Sequence, residues 1–233
     1  MGRAHATGTT GLQSQLPAWS SIVTTGMTIS CWAYIDTLPA NFGGQTPISR
    51  CGQFGGPLDG LVFYRVDSGA HNRIEISLNN TVVREPYALN TWYYCALVQD
   101  IGTTFNLTWY FYDNPNSTWY STTTTGNTAT TLNNVFATIF CGGRNGSATN
   151  QWKGDIGCAR VFMEPLTQAM LDLERPSALA VRTSSIYADW TLSGATLADS
   201  SGKGHPLTLA ASQSLPTAGS LDPPVSAADT PVR

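Results

Sequence analysis

Residues 27–35, MTISCWAYI, set Ile29, Cys31, Ala33 and Ile35 on one side and Ser30, Trp32 and Tyr34 on the other. A period of two puts successive side chains on opposite faces of a strand, and here both sides carry bulky apolar groups. The expectation is a strand half-buried on each face. Segments 47–51, 61–66, 73–78, 82–83, 92–99 and 105–112 have the same composition, and Gly, Asn, Asp or Pro bounds each of them. Asn79-Asn80 fits a tight hairpin turn between two of these segments. The threonine-rich run 121–131 fits an extended β-edge or covered loop better than a glycosylated or disordered tract, because threonine favours strands. One helical segment stands out at 166–173, with Thr167 as its N-cap and Pro176 as its stop. After it come a strand at 185–192, a turn at 199–204 and a strand at 206–210. Residues 1–11 and 211–233 lack a repeated apolar pattern and are expected to be extended arms, lying on a groove of their own domain or on a neighbouring subunit.

Composition sharpens this pattern. Charged residues make up 12% of the 233, against roughly 25% in an average soluble domain. There are two lysines, ten arginines and 30 threonines, so helix surfaces have little material to be built from. The expectation is one all-β domain over 12–210, an antiparallel β-sandwich with one short helix. Net charge is −3 and no basic run exceeds two residues, which argues against nucleic acid as a partner. No apolar run reaches a membrane span's length, so no membrane partner is expected either. The first eleven residues have no apolar core of the signal-peptide kind, so export by that route is not expected.

Cys31, Cys51, Cys95, Cys141 and Cys158 show no C-x-x-C spacing and have no paired histidines, which excludes a zinc site of known spacing. Two readings stay open: buried reduced thiols, or one or two disulfides or an intersubunit crosslink. Sequons at Asn79, Asn106, Asn116 and Asn145 arise readily by chance in a threonine-rich chain.

Four segments together carry a family resemblance: MTISCWAYIDTLP, PISRCGQ, LNTWYYCALVQD and GGRNGSATNQWKGDIGCARVFMEPLTQAML. In this order and spacing they resemble the concanavalin A-like, laminin G-like jelly-roll superfamily over about residues 20–175. A fifth segment, ADWTLSGATLADSSGKGHPLTL at 188–209, resembles that family's opening strands but follows the helix here. The resemblance therefore implies a permuted sandwich in which 185–210 complete the sheets and the strand near Trp190 joins the core of Trp32.

The superfamily includes glucanases with an E-x-D-x-x-E strand, which this chain lacks. Asp172 and Glu174, its closest carboxylate pair, fall on the helix, where i and i+2 do not share a face. The expectation is a non-enzyme. Some relatives hold calcium, and for that ion Asp199 and Asp155 are the candidates, although an aspartate in such a turn usually caps its own backbone. No other cofactor is implied. For sugar, an aromatic ring beside amide or carboxylate groups is needed; Trp119, Tyr120, Asn150 and Trp152 are the candidates, while Phe42 with Asn41 and Gln45 is a weaker set. Trp32, Trp92, Trp109 and Trp190 lie in strand patterns and are assigned to the core. Laminin G-like domains of this kind occur in phage virion proteins. The resemblance thus implies a structural or interaction protein of a virion surface: a capsid decoration, head-fibre or tail attachment protein, homo-oligomeric, contacting other virion subunits and a host glycan. The alternative is a secreted or surface lectin-like module, and the remote one a glycoside hydrolase.

Overall fold

The computed structural model describes residues 3–5, 12–15, 26–36, 48–50, 62–64, 73–78, 81–86, 88–101, 105–127, 138–141, 154–192, 197–209, 217–218 and 222–225. Among them strands dominate, and every strand pairing is antiparallel. The large sheet contains β1 (Arg3–His5), β3 (Gly26–Ile35), β8 (Thr91–Ile101), β9 (Phe105–Asp113), β10 (Thr118–Asn127), β12 (Gly154–Phe162), β13 (Ile186–Trp190) and β15 (Thr217–Ala218). Its order is β10-β9-β8-β3-β12-β1-β15, with β13 also paired to β12. A second sheet joins β2 (Leu12–Gln15), β4 (Ile48–Arg50), β11 (Thr138–Cys141) and β14 (Thr208–Leu209). A third joins β5 (Val62–Tyr64), β6 (Arg73–Leu78) and β7 (Thr81–Pro86). The smaller sheets meet the large one where β4 touches β3 and β7 touches β10. The described residues form an antiparallel β-sandwich with one short helix, as the resemblance implied.

The two-sided pattern of 27–35 has a direct counterpart, since residues 26–33 are all buried. One face of the sheet carries Trp32, Tyr94, Ala96, Tyr112, Cys158 and Phe162, packed with Leu166, Leu171, Ala180 and Ile186. Cys31, Cys95, Leu97, Trp109 and Phe111 alternate with that set, point to the other face, and are also buried. Ile186 lies in the cluster around Trp32, and β13 pairs with β12, so the chain after the helix enters the same sheet.

Helix α1 (Gln168–Glu174) starts where Thr167 accepts the Met170 N–H at 3.3 Å and gives way at Arg175, just before Pro176. It is too short to hold itself together and depends on tertiary contacts. The main contact is Arg160, fully buried on β12. Its Nε donates to Asp189 Oδ1 (3.1 Å), one terminal nitrogen to the Glu174 carbonyl (2.7 Å) and to Glu174 Oε2 (3.3 Å), and the other to the Ser177 carbonyl (2.6 Å). The carboxylates are further held by backbone N–H groups, Glu174 by Val181 and Arg182 and Asp189 by Ala180. One guanidinium thus fastens the end of the helix and the following loop to the sheet.

A bulge in β12 precedes Arg160. Gly157 opposes Trp32 and Arg160 opposes Ser30, so β12 spends one extra residue, with Cys158 at φ 48°. Gly157 admits a close neighbour, since a Cβ there would lie 2.8 Å from Pro223 Cγ. Where they are described, the expected arms lie on their own domain. Residues 3–5 pair with β12, residues 217–218 pair with β1, Pro223 is buried, and Val225 packs on the core, all on their own chain.

Candidate functional site: an aromatic row beside a short helix

Cross-strand register lines up Trp32, Tyr94, Tyr112 and Trp119 on β3, β8, β9 and β10. Tyr34 and Trp92 form the next rung toward one sheet end, and Tyr110 lies on the other side of the row. The rings touch in sequence: Tyr34–Trp92 at 5.4 Å, Trp92–Trp32 at 6.5 Å, Trp32–Tyr94 at 5.4 Å, Tyr94–Trp119 at 6.2 Å. Trp119 also meets Tyr112 at 5.1 Å and Tyr110 at 6.2 Å. Tilted and edge-on contacts of this kind add to simple burial.

The helix end covers the middle of the row. Trp32 Nε1 donates to the Arg175 carbonyl at 2.9 Å, and the Arg175 guanidinium carbon sits 3.8 Å from the Tyr112 ring centre. Trp119 Nε1 donates to Asp172 Oδ1 at 2.9 Å, and Arg175 approaches the same oxygen at 3.7 Å. Both ends of the row stay partly exposed, Tyr34 and Trp92 at one and Trp119 and Tyr110 at the other. Beside Trp119 and Tyr110, Asp172 is 44% exposed, Ser121 and Thr123 are exposed, and Thr123 bonds Thr108 through their hydroxyls at 3.0 Å. Burial pushes the Tyr110 hydroxyl above the ordinary phenol range, so it is a neutral donor at physiological pH. This end offers an apolar ring surface flanked by a carboxylate acceptor, a guanidinium donor and hydroxyls. That combination suits a polyhydroxylated ligand with apolar C–H patches.

Trp119 and Tyr120 do not share one surface. As neighbours on β10 they point to opposite faces, and Tyr120 lies against Phe111 at 6.2 Å on the far side. Asn150 and Trp152, together with Phe42, Asn41 and Gln45, lie outside the described residues. Trp92, assigned above to the core, is partly exposed because its rung lies beside Tyr34, near the sheet end, whereas Trp32, Trp109 and Trp190 are fully buried. Asp172 and Glu174 diverge as expected of i and i+2: Asp172 is exposed, while Glu174 is buried on Arg160.

Asp199 closes the loop after β13. Its Oδ1 accepts the N–H groups of Asp189 (3.0 Å) and Ser201 (2.9 Å), and its Oδ2 accepts that of His205 (2.9 Å). Burial alone would raise its carboxyl, but these donors outweigh it and hold the group below the ordinary range. Donors facing a carboxylate are the arrangement of a turn cap. Asp155 is buried on β12, opposite Tyr34 and Ala4. Among the described residues no three His, Cys, Asp or Glu side chains gather as a metal site.

Tyr110, Asp172 and Arg175 were not singled out as sugar ligands in the sequence. Their signal is faint: Tyr110 reads as one more strand aromatic, and the helix residues meet Trp119 and Tyr112 only through the fold.

The profile of the concanavalin A-like lectin/glucanases superfamily matches residues 7–171. No curated protein sequence matches the chain. Among solved structures, tailspike protein 2 of an Escherichia coli O157:H7 bacteriophage is similar with a TM-score of 0.56 at 12% identity, over 76% of this chain and 24% of that one. A candidate carbohydrate-binding protein from Bacteroides ovatus is similar with a TM-score of 0.55 at 16% identity, over 93% of this chain and 62% of that one. The chain thus spans about a quarter of the tailspike and less than two thirds of the Bacteroides protein. At these identities the likeness is one of fold.

Proposed function

The chain belongs to the concanavalin A-like lectin/glucanase superfamily, and from that premise we propose that it is a non-enzymatic interaction protein of a phage-like virion surface that binds host glycan. Capsid decoration, head-fibre and tail attachment are the roles it fits. The observation that carries the reading is the open end of the aromatic row, where Trp119 and Tyr110 stand beside Asp172 and Arg175. A pyranose ring would lie against the aromatic surface while its hydroxyls pair with the carboxylate, guanidinium and threonine groups. The tailspike likeness favours a virion setting. A second reading, a secreted or surface lectin module, is favoured by the Bacteroides protein, whose likeness extends over 93% of this chain. In either setting the site chemistry is the same. A hydrolase would need two carboxyls roughly 5 Å or 6.5–9.5 Å apart around one bond, and Asp172 and Glu174 face different surroundings.

The test is a glycan array probed with the purified chain, paired with a reducing-end release assay on every glycan that binds and with immunolabelling of virus-like particles from the source culture. The reading expects saturable binding to a defined oligosaccharide, no release of reducing ends, and label on particles. Release of product would replace it with a glycosidase, absence from particles would leave the lectin module, and an empty array would end the glycan assignment.

A further inference from the structure

Cys31 on β3 and Cys95 on β8 are direct register partners, and neither is disulfide-bonded in the structure. Directly opposed residues of an antiparallel pair point to the same face, with Cα atoms roughly 4.5 or 5.5 Å apart. Both values fall inside the span of about 4.4–6.8 Å that a disulfide bridges. The pair sits at the centre of the large sheet, on the face that also carries Phe111, the partner of Cys95 on β9. Cys158 is no competitor: it belongs to the cluster on the opposite face, and its sulfur points to the Ala178 carbonyl at 3.9 Å.

We propose that Cys31 and Cys95 form a cross-strand disulfide site, closed when the chain folds in an oxidising medium and left open when it folds in a reducing one. The step balances with a small-molecule disulfide such as oxidised glutathione. One cysteine thiol loses its proton and attacks that disulfide, giving a protein–glutathione mixed disulfide and one glutathione thiolate. The second cysteine loses its proton and attacks the protein sulfur of the mixed disulfide, and a second glutathione thiolate leaves. The protein gives up two protons and two electrons, and glutathione takes both.

Timing follows from burial. Cys31 is 0% and Cys95 2% exposed. Burial also drives the Cys95 thiol far above the ordinary thiol range, so the folded sheet supplies neither thiolate nor access. Closure therefore belongs to the folding chain, before β3 and β8 are covered. The bond would tie the two central strands across 64 sequence positions, a loop long enough to restrict the unfolded ensemble strongly.

The unmodified chain carries the whole test. It is unfolded with reductant, refolded in a mixture of reduced and oxidised glutathione, blocked with iodoacetamide, and mapped as non-reduced peptides. The expected product joins the peptides of Cys31 and Cys95, with Tm raised by roughly 8–16 °C over the chain refolded in reductant. Folded reduced protein kept in the same mixture should show no joined peptide. Alkylation of both cysteines after oxidised refolding would overturn the proposal, as would pairing of either with Cys51, Cys141 or Cys158. Closure in the folded protein as fast as during refolding would overturn the timing.

Discussion

Arg160→Ala is the sharpest test of how the site is held in place. The guanidinium is 0% exposed and is shared by two carboxylates, Glu174 at 0% and Asp189 at 2%, and by two backbone carbonyls. Its removal leaves a buried pair of anions, takes the Arg160 donor from the Ser177 carbonyl, and leaves the Glu174 carbonyl with the Ser177 N–H at 3.2 Å. Breaking a buried ion pair from one side costs about 3–5 kcal/mol. The N–H groups of Val181, Arg182 and Ala180 still reach the carboxylates, so the loss belongs within that range rather than beyond it. For a domain of this size each kcal/mol moves Tm by roughly 2–4 °C, which gives a fall of about 6–20 °C. Part of the loss should be regained at low pH. Burial is the largest influence on Glu174 and raises its carboxyl, with Arg160 the main opposing one; without Arg160 the rise is larger, opposed only by the Val181 and Arg182 N–H groups. A carboxyl raised in the folded state contributes stability below its unfolded value and loses it as pH climbs through the folded value, so the mutant should gain relative to wild type on acidification. The assay is thermal unfolding by circular dichroism from neutral pH to about pH 4. A fall of less than about 3 °C at neutral pH, below the range worked out above, would refute the staple. So would a deficit that widens in acid.

Gly157→Ala should displace Pro223, because the new Cβ would sit 2.8 Å from its Cγ, and cost about 1–3 kcal/mol; limited proteolysis should then release the C-terminal residues earlier. Asp199→Ala orphans three backbone N–H groups and should cost about 1–3 kcal/mol, while Tm of the wild type should match in millimolar calcium and in EDTA if the carboxylate serves only as a cap. Glu164 is held below its ordinary value of 4.5, mainly by the Arg182 hydrogen bond, with one from Ser185 helping and burial opposing. A lowered carboxyl stabilises above its unfolded value and loses that as pH falls through the folded value, so the stability gap between wild type and Glu164→Gln should shrink below about pH 4.5 in urea titrations.

Much of the fold was legible because short-range rules and tertiary demands agreed. The 27–35 alternation, the Thr167 cap and the Pro176 stop each need only neighbours in sequence, and β3 and α1 follow them closely. The run 121–131 reads as an edge, and its described part, 121–127, is the continuation of β10, which begins earlier, at Thr118, and pairs with β9. The short strands β1, β2 and β15 were not legible, since two to four residues, polar or small apart from Leu12, become strand only when a partner such as β12 or β11 lies beside them. The site was half legible. Trp119 stood out as an aromatic in a polar stretch, but Tyr120 was grouped with it although period two sends the two apart. Asp172 and Arg175 reach the row only because Arg160 pins the helix end, a contact that joins positions 14 apart in sequence through two elements. The two remaining sugar candidates, Asn150 and Trp152, lie outside the described residues.

The measurement that bears most directly on the glycan site is the dissociation constant of an array-selected oligosaccharide for the wild type, Asp172→Ala and Tyr110→Ala, by isothermal titration. Asp172 is exposed enough that its loss leaves the core intact, and a charged hydrogen bond is worth about 1.5–3 kcal/mol, so binding should weaken roughly 10- to 100-fold. Tyr110→Ala should weaken it as well by removing stacking surface. Unchanged affinity in both variants, with their unfolding transitions intact, would place the glycan elsewhere on the molecule and contradict the account.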